Sequence, residues 1–280
     1  MKNDPHPICL LMAIACLLYA SAINAREKQA AESEQHEKAR AVVDDGPGEK
    51  LHLYLLIGQS NMAGRAKVPD DLAGVIDRCW LLNDKNQWVR AKNPLNLYST
   101  IRKGAGMQKL GPGYSFVLEM LAADPDLHIG LIVNARGGSR IEQWERKSKY
   151  YMQAGQRTKA AMQHGKLKGI LWHQGESNNG KPEGYLEKLV TLVNHFRKDF
   201  EIDDLPFVAG EVKAGSAVNE QIAKLPEALP NTAVASSQGL KTFDRWHFDI
   251  ASQLELGKRY AKAMLKLQKP AEQEDEPRRR

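Results

Sequence analysis

The sequence predicts an α/β domain built on a mostly parallel sheet with helices on both faces. Three observations predict it. The runs 51–57 (LHLYLLI), 128–134 (HIGLIVN) and 169–173 (GILWH) are nearly continuous in apolar residues, as strands buried on both faces are. Between them lie helix-length amphipathic segments. The clearest is 183–200, with Leu186, Leu189, Val190, Val193 and Phe196 on one side. Strand and helix alternate along the chain, which calls for crossover connections and parallel pairing.

The amino-terminal segment comes before any of this. Residues 1–25 read as a secretory signal: Lys2, an apolar run over 8–19, then small residues at Ala20, Ser21, Ala22 and Ala25. The run is short for a membrane span. A retained signal anchor is the alternative. Residues 26–49 are mostly charged, Gln and Ala, and read as a disordered linker. The domain is expected over 50–267, with a second disordered tail over 268–280. Of the three cysteines, Cys9 and Cys16 leave with the signal, and Cys79 alone forms no internal disulfide. A domain of this size relies on its core instead.

Within the domain, 51–58 is the first strand and 79–82 a weak second one. Residues 114–123 read as a helix, 128–134 as a strand, 150–164 as a helix and 169–173 as a strand. The 183–200 helix follows, then a strand over 205–210, a helix over 219–225, a short strand over 232–235 and a last helix from 248 or 249 to 267. Hydrophobic content of 42% and charged content of 26% are those of a globular protein. The net charge of +6 includes a terminal Arg278-Arg279-Arg280, and no basic run is interleaved with aromatics, so nucleic acid is not an expected partner.

The chemistry sits where strands end. The first ends in Gly58-Gln59-Ser60-Asn61-Met62. Another ends in Asn134-Ala135-Arg136-Gly137-Gly138-Ser139, with Ile141 and Trp144 just beyond. A third ends in His173-Gln174-Gly175-Glu176-Ser177-Asn178. After the last short strand comes Asp244-Arg245-Trp246-His247-Phe248. A parallel sheet brings these ends to one edge, where ligands bind. Acyl transfer needs each part. A serine hydroxyl needs a base to take its proton, the imidazole needs a carboxylate at its other nitrogen, and the oxyanion needs donors. Ser60, His247 and Asp244 fill the first three places. Backbone N–H groups at Ser60 and in the Gly137-Gly138 turn, and a side-chain amide from Gln174 or Asn178, fill the last. Each part also has a plainer reading: Ser60 as a turn or cap residue, Asp244 as a cap of the last helix, Gly137-Gly138 as a turn, and the tryptophans as packing. His173 and Glu176 have no third ligand at a recognisable interval, and no phosphate loop is present, so neither a metal nor a nucleotide is expected.

Taken in order, Gly58-Gln59-Ser60-Asn61-Met62, Gly137-Gly138-Ser139-x-Ile141-x-x-Trp144, His173-Gln174-Gly175-Glu176 and Asp244-x-x-His247-Phe248 resemble the sialate O-acetylesterase and acetylxylan esterase-like branch of the SGNH hydrolases. The resemblance spans about 51–267. It implies a three-layer α/β/α, flavodoxin-like fold and an esterase that removes acetyl groups from carbohydrates without metal or organic cofactor. It implies Ser60 as nucleophile, His247 as base, Asp244 as its orienting acid, and Gly138 and Gln174 as oxyanion contributors. Substrate contacts are expected from Gln59, Asn61, Trp144, Glu176, Asn178 and Trp246. The serine is not in a Gly-x-Ser-x-Gly elbow, which argues against an ordinary α/β-hydrolase. Arg245-Trp246 stand where the family often has glycine after the aspartate.

The expectation is an exported esterase, periplasmic or extracellular, with no stable membrane association after signal cleavage. Its expected substrate is an acetylated saccharide or polysaccharide such as acetylated xylan. The alternatives are a sialate O-acetylesterase and a non-catalytic carbohydrate-binding surface protein. The sequence assigns no oligomeric state.

Overall fold

A computed structural model describes residues 51–269. The expected signal (1–25), the linker (26–49) and residues 270–280 lie outside the described residues; of the tail expected over 268–280, Gln268 instead belongs to the last helix, its amide donating to the Lys168 carbonyl at 2.9 Å. The elements run β1 (Leu51–Gly58), α1 (Ser60–Ala63), β2 (Val75–Leu82), β3 (Trp88–Lys92), α2 (Gly113–Ala123), β4 (Ile129–Ala135), α3 (Lys149–Ala161), β5 (Gly165–His173), α4 (Tyr185–Phe200), β6 (Phe207–Gly210), α5 (Val218–Ala223), α6 (Leu225–Ala228), β7 (Thr232–Ala235) and α7 (Ile250–Gln268). A 3-10 turn, Ile141–Trp144, follows β4.

One seven-stranded sheet has the order β3-β2-β4-β1-β5-β6-β7. Every neighbouring pair is parallel except β2 and β3. The run β4-β1-β5-β6-β7, numbered along the chain, is 2-1-3-4-5, the flavodoxin-like order. The β2–β3 hairpin extends this core beyond β4. From β1 the chain first builds β2, β3 and β4 on one side, and later β5, β6 and β7 on the other. The strand order therefore reverses at β1, and a crevice opens beyond its carboxyl end.

β1 shows why the sheet is buried. Leu51, Leu53, Leu55 and Ile57 face one apolar cluster, shared with Tyr151 of α3 and Leu189, Val193 and Phe196 of α4. Tyr54 and Leu56 face the other, shared with Phe116 and Val117 of α2 and Leu256, Tyr260 and Met264 of α7. Alternate side chains of one strand thus feed both layers, so no polar face is left. Gly58 closes the strand with φ 132°, and a Cβ there would collide with the His173 carbonyl. Only glycine lets the ends of β1 and β5 approach so closely.

The structure departs from the sequence expectations: the short helix α1 was not expected, β6 begins at Phe207 rather than 205, the helix expected to 164 ends at Ala161 in a 3-10 turn, and four larger differences follow. β2 begins at Val75 rather than 79, and β3 was not expected. β3 is a short edge strand carrying Arg90 and Lys92, so it lacks the apolar continuity of a central strand. β5 begins at Gly165, because its Lys166 and Lys168 sit at the less buried start of the strand. The helix expected over 219–225 is two short ones, since Pro226 stands in the first turn of α6 and cannot continue α5.

Candidate active site

The turn after β1 delivers Ser60 to the first position of α1. The residue is 6% exposed, and its hydroxyl caps nothing. Ser60 Oγ lies 3.0 Å from His247 Nε2. On the other side of the ring, His247 Nδ1 lies 2.6 Å from Asp244 Oδ2. A carboxylate only accepts, so Nδ1 carries the proton and Nε2 presents its lone pair to the serine hydroxyl. The other Asp244 oxygen accepts the backbone N–H groups of Trp246 (2.8 Å) and His247 (2.7 Å). Partial burial pushes the Asp244 carboxyl up, but these hydrogen bonds outweigh it and hold the group below its ordinary value. The cap of α7 is Asp249, which accepts from Ser252 N at 2.8 Å, so Asp244 is free of that task.

Ser60 and His247 open on a cavity of about 360 Å³, also lined by Gln59, Arg65, Lys103, Met107, Gly137, Gly138, Glu176, Ser177 and Trp246. A larger cavity, about 480 Å³, lies between the Ile141–Trp144 turn and α4 and contains neither residue. The backbone N–H of Ser60, at a helix start, has no intrahelical partner. Gly138 adopts φ 73° on the cavity wall. Phe243, 55% exposed, stacks on the His247 ring at 6.0 Å, and Trp246 carries Arg245 over its ring at 4.7 Å.

Behind the serine is a buried polar network. Asn61 is fully buried and donates to Glu176 Oε1 (2.6 Å) and the Trp246 carbonyl (3.1 Å). Its own oxygen accepts Phe248 N (3.1 Å) and Gln253 Nε2 (3.0 Å). One asparagine thereby ties the serine helix, the His247 loop and α7 together. Burial pushes the Glu176 carboxyl up to about 7, against the pull of its own backbone N–H and the Asn61 amide. Beside it, His173 donates Nδ1–H to Tyr260 Oη (3.0 Å), because that hydroxyl itself donates to the Trp172 carbonyl (2.7 Å). Burial holds His173 down at about 3.

Several expected site residues stand elsewhere. The Gln174 amide does not line the cavity. Its Nε2 faces Gln59 Oε1 (3.0 Å), the Ser139 carbonyl (3.0 Å) and Asn178 Oδ1 (2.8 Å), so its protons are committed inside the protein. Asn178 is buried as well, accepting Ile141 N at 3.0 Å and donating to Glu142 at 3.1 Å. Trp144 is core: its indole N–H donates to Ser139 Oγ (3.1 Å) and its ring meets Trp172 edge-on at 5.3 Å. Asn61 supports the cavity from behind without lining it. Of the expected contacts, Gln59, Glu176 and Trp246 border the cavity. Arg65, Lys103, Met107, Ser177 and Phe243 were missed. Arg65 carried a signal, since it follows Ser60 by only five residues.

This constellation of serine, imidazole and carboxylate at a sheet switch point is suited to acyl transfer. Residues 50–266 match the profile of the carbohydrate esterase, sialic acid-specific acetylesterase family. The chain belongs to that family. A probable carbohydrate esterase of Arabidopsis thaliana, At4g34215, is 30% identical over 238 residues, covering 76% of this chain and 90% of the relative. The X-ray structure of that Arabidopsis protein superposes with a TM-score of 0.70 at 25% identity, over 79% of this chain and 99% of that one. NanS (TM-score 0.63, 16% identity, 78% and 98% covered) and XAC1771, a carbohydrate acetylesterase from Xanthomonas citri (0.58, 21%, 77% and 56%), share the fold. The family member described here is accordingly a carboxylic ester hydrolase of the carbohydrate acetylesterase kind.

Proposed function

We propose that the protein is an exported serine esterase that removes O-acetyl groups from a saccharide through an acetyl-enzyme intermediate. The leading substrate is an acetylated polysaccharide such as acetylated xylan. The observation that carries the mechanism is the hydrogen-bonded line from Ser60 through His247 to Asp244. In it, His247 Nε2 takes the hydroxyl proton as Ser60 Oγ attacks the acetyl carbonyl carbon. The oxyanion is received by the backbone N–H groups of Ser60 and Gly138, each such donor contributing about 3–4 kcal/mol to the transition state. His247 then gives the proton to the departing sugar oxygen. A water molecule, deprotonated by the same imidazole, releases acetate and restores Ser60. Asp244 holds the tautomer and offsets the charge on the ring. Trp246, on the cavity wall, and the exposed Phe243, stacked on His247, offer apolar faces to a sugar ring.

A sialate substrate is the second reading, favoured by the description of the matching family. Export is supported by the charged start, apolar run and small residues of 1–25. The test is hydrolysis of a chromogenic acetate ester by the protein lacking residues 1–25 and by its Ser60→Ala variant. We expect background rates in the variant and, in the parent, a phosphonate adduct on Ser60. Equal rates would refute the mechanism.

A further inference from the structure

The larger cavity, about 480 Å³, plays no part in the reaction described above. Its floor is apolar, made by Ile141, Trp144 and Leu192. Its rim is charged. Glu145 and Lys147 stand on one side, and Glu187 of α4 on the other, all exposed. Among the described residues, the side chains of these three form neither an ion pair nor a hydrogen bond, whereas Arg146 and Lys188 beside them are paired with Asp199 and Glu142. Uncommitted charges of both signs thus surround an apolar floor. The cavity also adjoins the catalytic one. Gly138 lines the catalytic cavity and Ile141 the larger one. They are three residues apart, so at most about 11 Å of extended chain lies between them. A tied ridge divides the two cavities. Arg140 Nη1 donates to the Ser177 carbonyl (3.0 Å), and Lys188 Nζ donates to Glu142 (2.7 Å). Asn178 accepts Ile141 N (3.0 Å) and donates to the same Glu142 carboxylate (3.1 Å).

A sugar ring carries C–H groups on its faces and hydroxyls around its edge. An apolar floor receives the faces. Carboxylates accept from the hydroxyls and an ammonium donates to them. Because the uncommitted rim groups carry both signs, the site suits a polar ring without charge. The volume lies within the roughly 300–1,000 Å³ of small-ligand sites. We propose that this cavity is a chain subsite: it holds uncharged sugar residues linked to the acetylated residue at Ser60, the chain crossing the ridge of Arg140 and Ser177. This rests on the esterase reading above and adds a second, remote contact to it. Binding energy from a part of the substrate that does not react serves to orient the part that does. The enzyme therefore selects an acetyl group on an oligosaccharide over the same group on a monosaccharide.

The test compares kcat/KM for acetate release from an O-acetylated methyl xyloside and from an O-acetylated xylohexaoside. It uses the parent protein, Glu187→Ala, Glu145→Ala and Thr191→Trp. Thr191 lines the cavity from an exposed position on α4, so a tryptophan there fills the space from the rim without entering the core. We expect the parent to favour the long substrate by about tenfold or more, and the long-to-short ratio to fall about fivefold in each carboxylate variant. In Thr191→Trp the preference should vanish. The carboxylates are surface residues, so their variants decide the matter if Thr191→Trp folds poorly. No gain with chain length in the parent, or an equal loss on long and short substrates in the variants, would overturn the subsite. A binding measurement separates it from the chemistry. The Kd of unacetylated xylohexaose for Ser60→Ala, from an NMR titration, should rise about tenfold when Thr191→Trp is added; an unchanged Kd would overturn the subsite. Activity surviving in Ser60→Ala would sink the esterase mechanism, while the titration still decides the subsite.

Discussion

Replacing Asn61 by alanine should cripple the enzyme without touching any group of the triad. The substitution removes two donated and two accepted hydrogen bonds, all from a fully buried side chain. Each is worth about 1 kcal/mol net, and the bond to the Glu176 carboxyl somewhat more. The Phe248 N–H, the Gln253 amide and Glu176 are then left buried and short of partners. The loss comes to about 3–5 kcal/mol of stability. A domain of this size starts with about 5–15 kcal/mol, so most of the variant stays folded. Activity suffers more. Asn61 holds the backbone on both sides of His247, at the Trp246 carbonyl and the Phe248 N–H. A misplacement of about 1 Å in a catalytic group costs about a hundredfold in rate. Urea unfolding gives the first number, and kcat on a chromogenic acetate ester gives the second. A folded Asn61→Ala protein with parental kcat would refute the positioning argument.

Asp244→Asn should lower kcat by about three to four orders of magnitude at little cost in stability, because the amide can present an N–H to His247 and favour the wrong tautomer; stopped assays and a melting curve measure the two effects. Glu176 should make stability depend on pH. Its carboxyl is raised in the folded state to about 7 from an ordinary 4.5. Its favourable contribution is therefore full below pH about 4.5 and lost as pH rises through about 7, a change of about 3 kcal/mol. Glu176→Gln should melt higher than the parent at pH 8 and lose this slope; an unaltered slope would show that another group sets it. His173 works in the opposite sense. Held down at about 3, it favours the folded state above its unfolded value of 6.5 and withdraws that support as pH falls towards 3, so the acid side of the same melting series should persist in Glu176→Gln.

The sheet was readable because its central strands are buried on both faces. A run such as 51–57 has no polar residue to mislead after His52, and the order of polar strand ends follows from parallel pairing alone. The edge hairpin was not readable: β3 is five residues long, carries Arg90 and Lys92, and is held by β2 rather than by its own pattern. Within the site, the serine, aspartate and histidine stood out because acyl transfer restricts which residue types can do each task. The neighbours did not. Asn61, Gln174 and Asn178 lie in the same motifs as cavity residues, but a turn alternates the direction of its side chains, and sequence does not say which ones face inward. Arg65 comes from the segment between α1 and β2, and Lys103 from the one between β3 and α2. An isolated antiparallel bridge between Ala66 and Leu110 joins these two segments, and no local pattern announces it.

The hydrogen bond between Ser60 and His247 joins residues 187 positions apart. On a growing chain, the serine is therefore made well before its base. The His247 loop is tied to the serine helix through Asn61, and Asn61 in turn accepts the Gln253 amide of α7, so the proposed hydrolytic geometry is complete once α7 has docked. A chain in which α7 has not yet docked thus lacks this arrangement. Completion of the fold is itself the activating event.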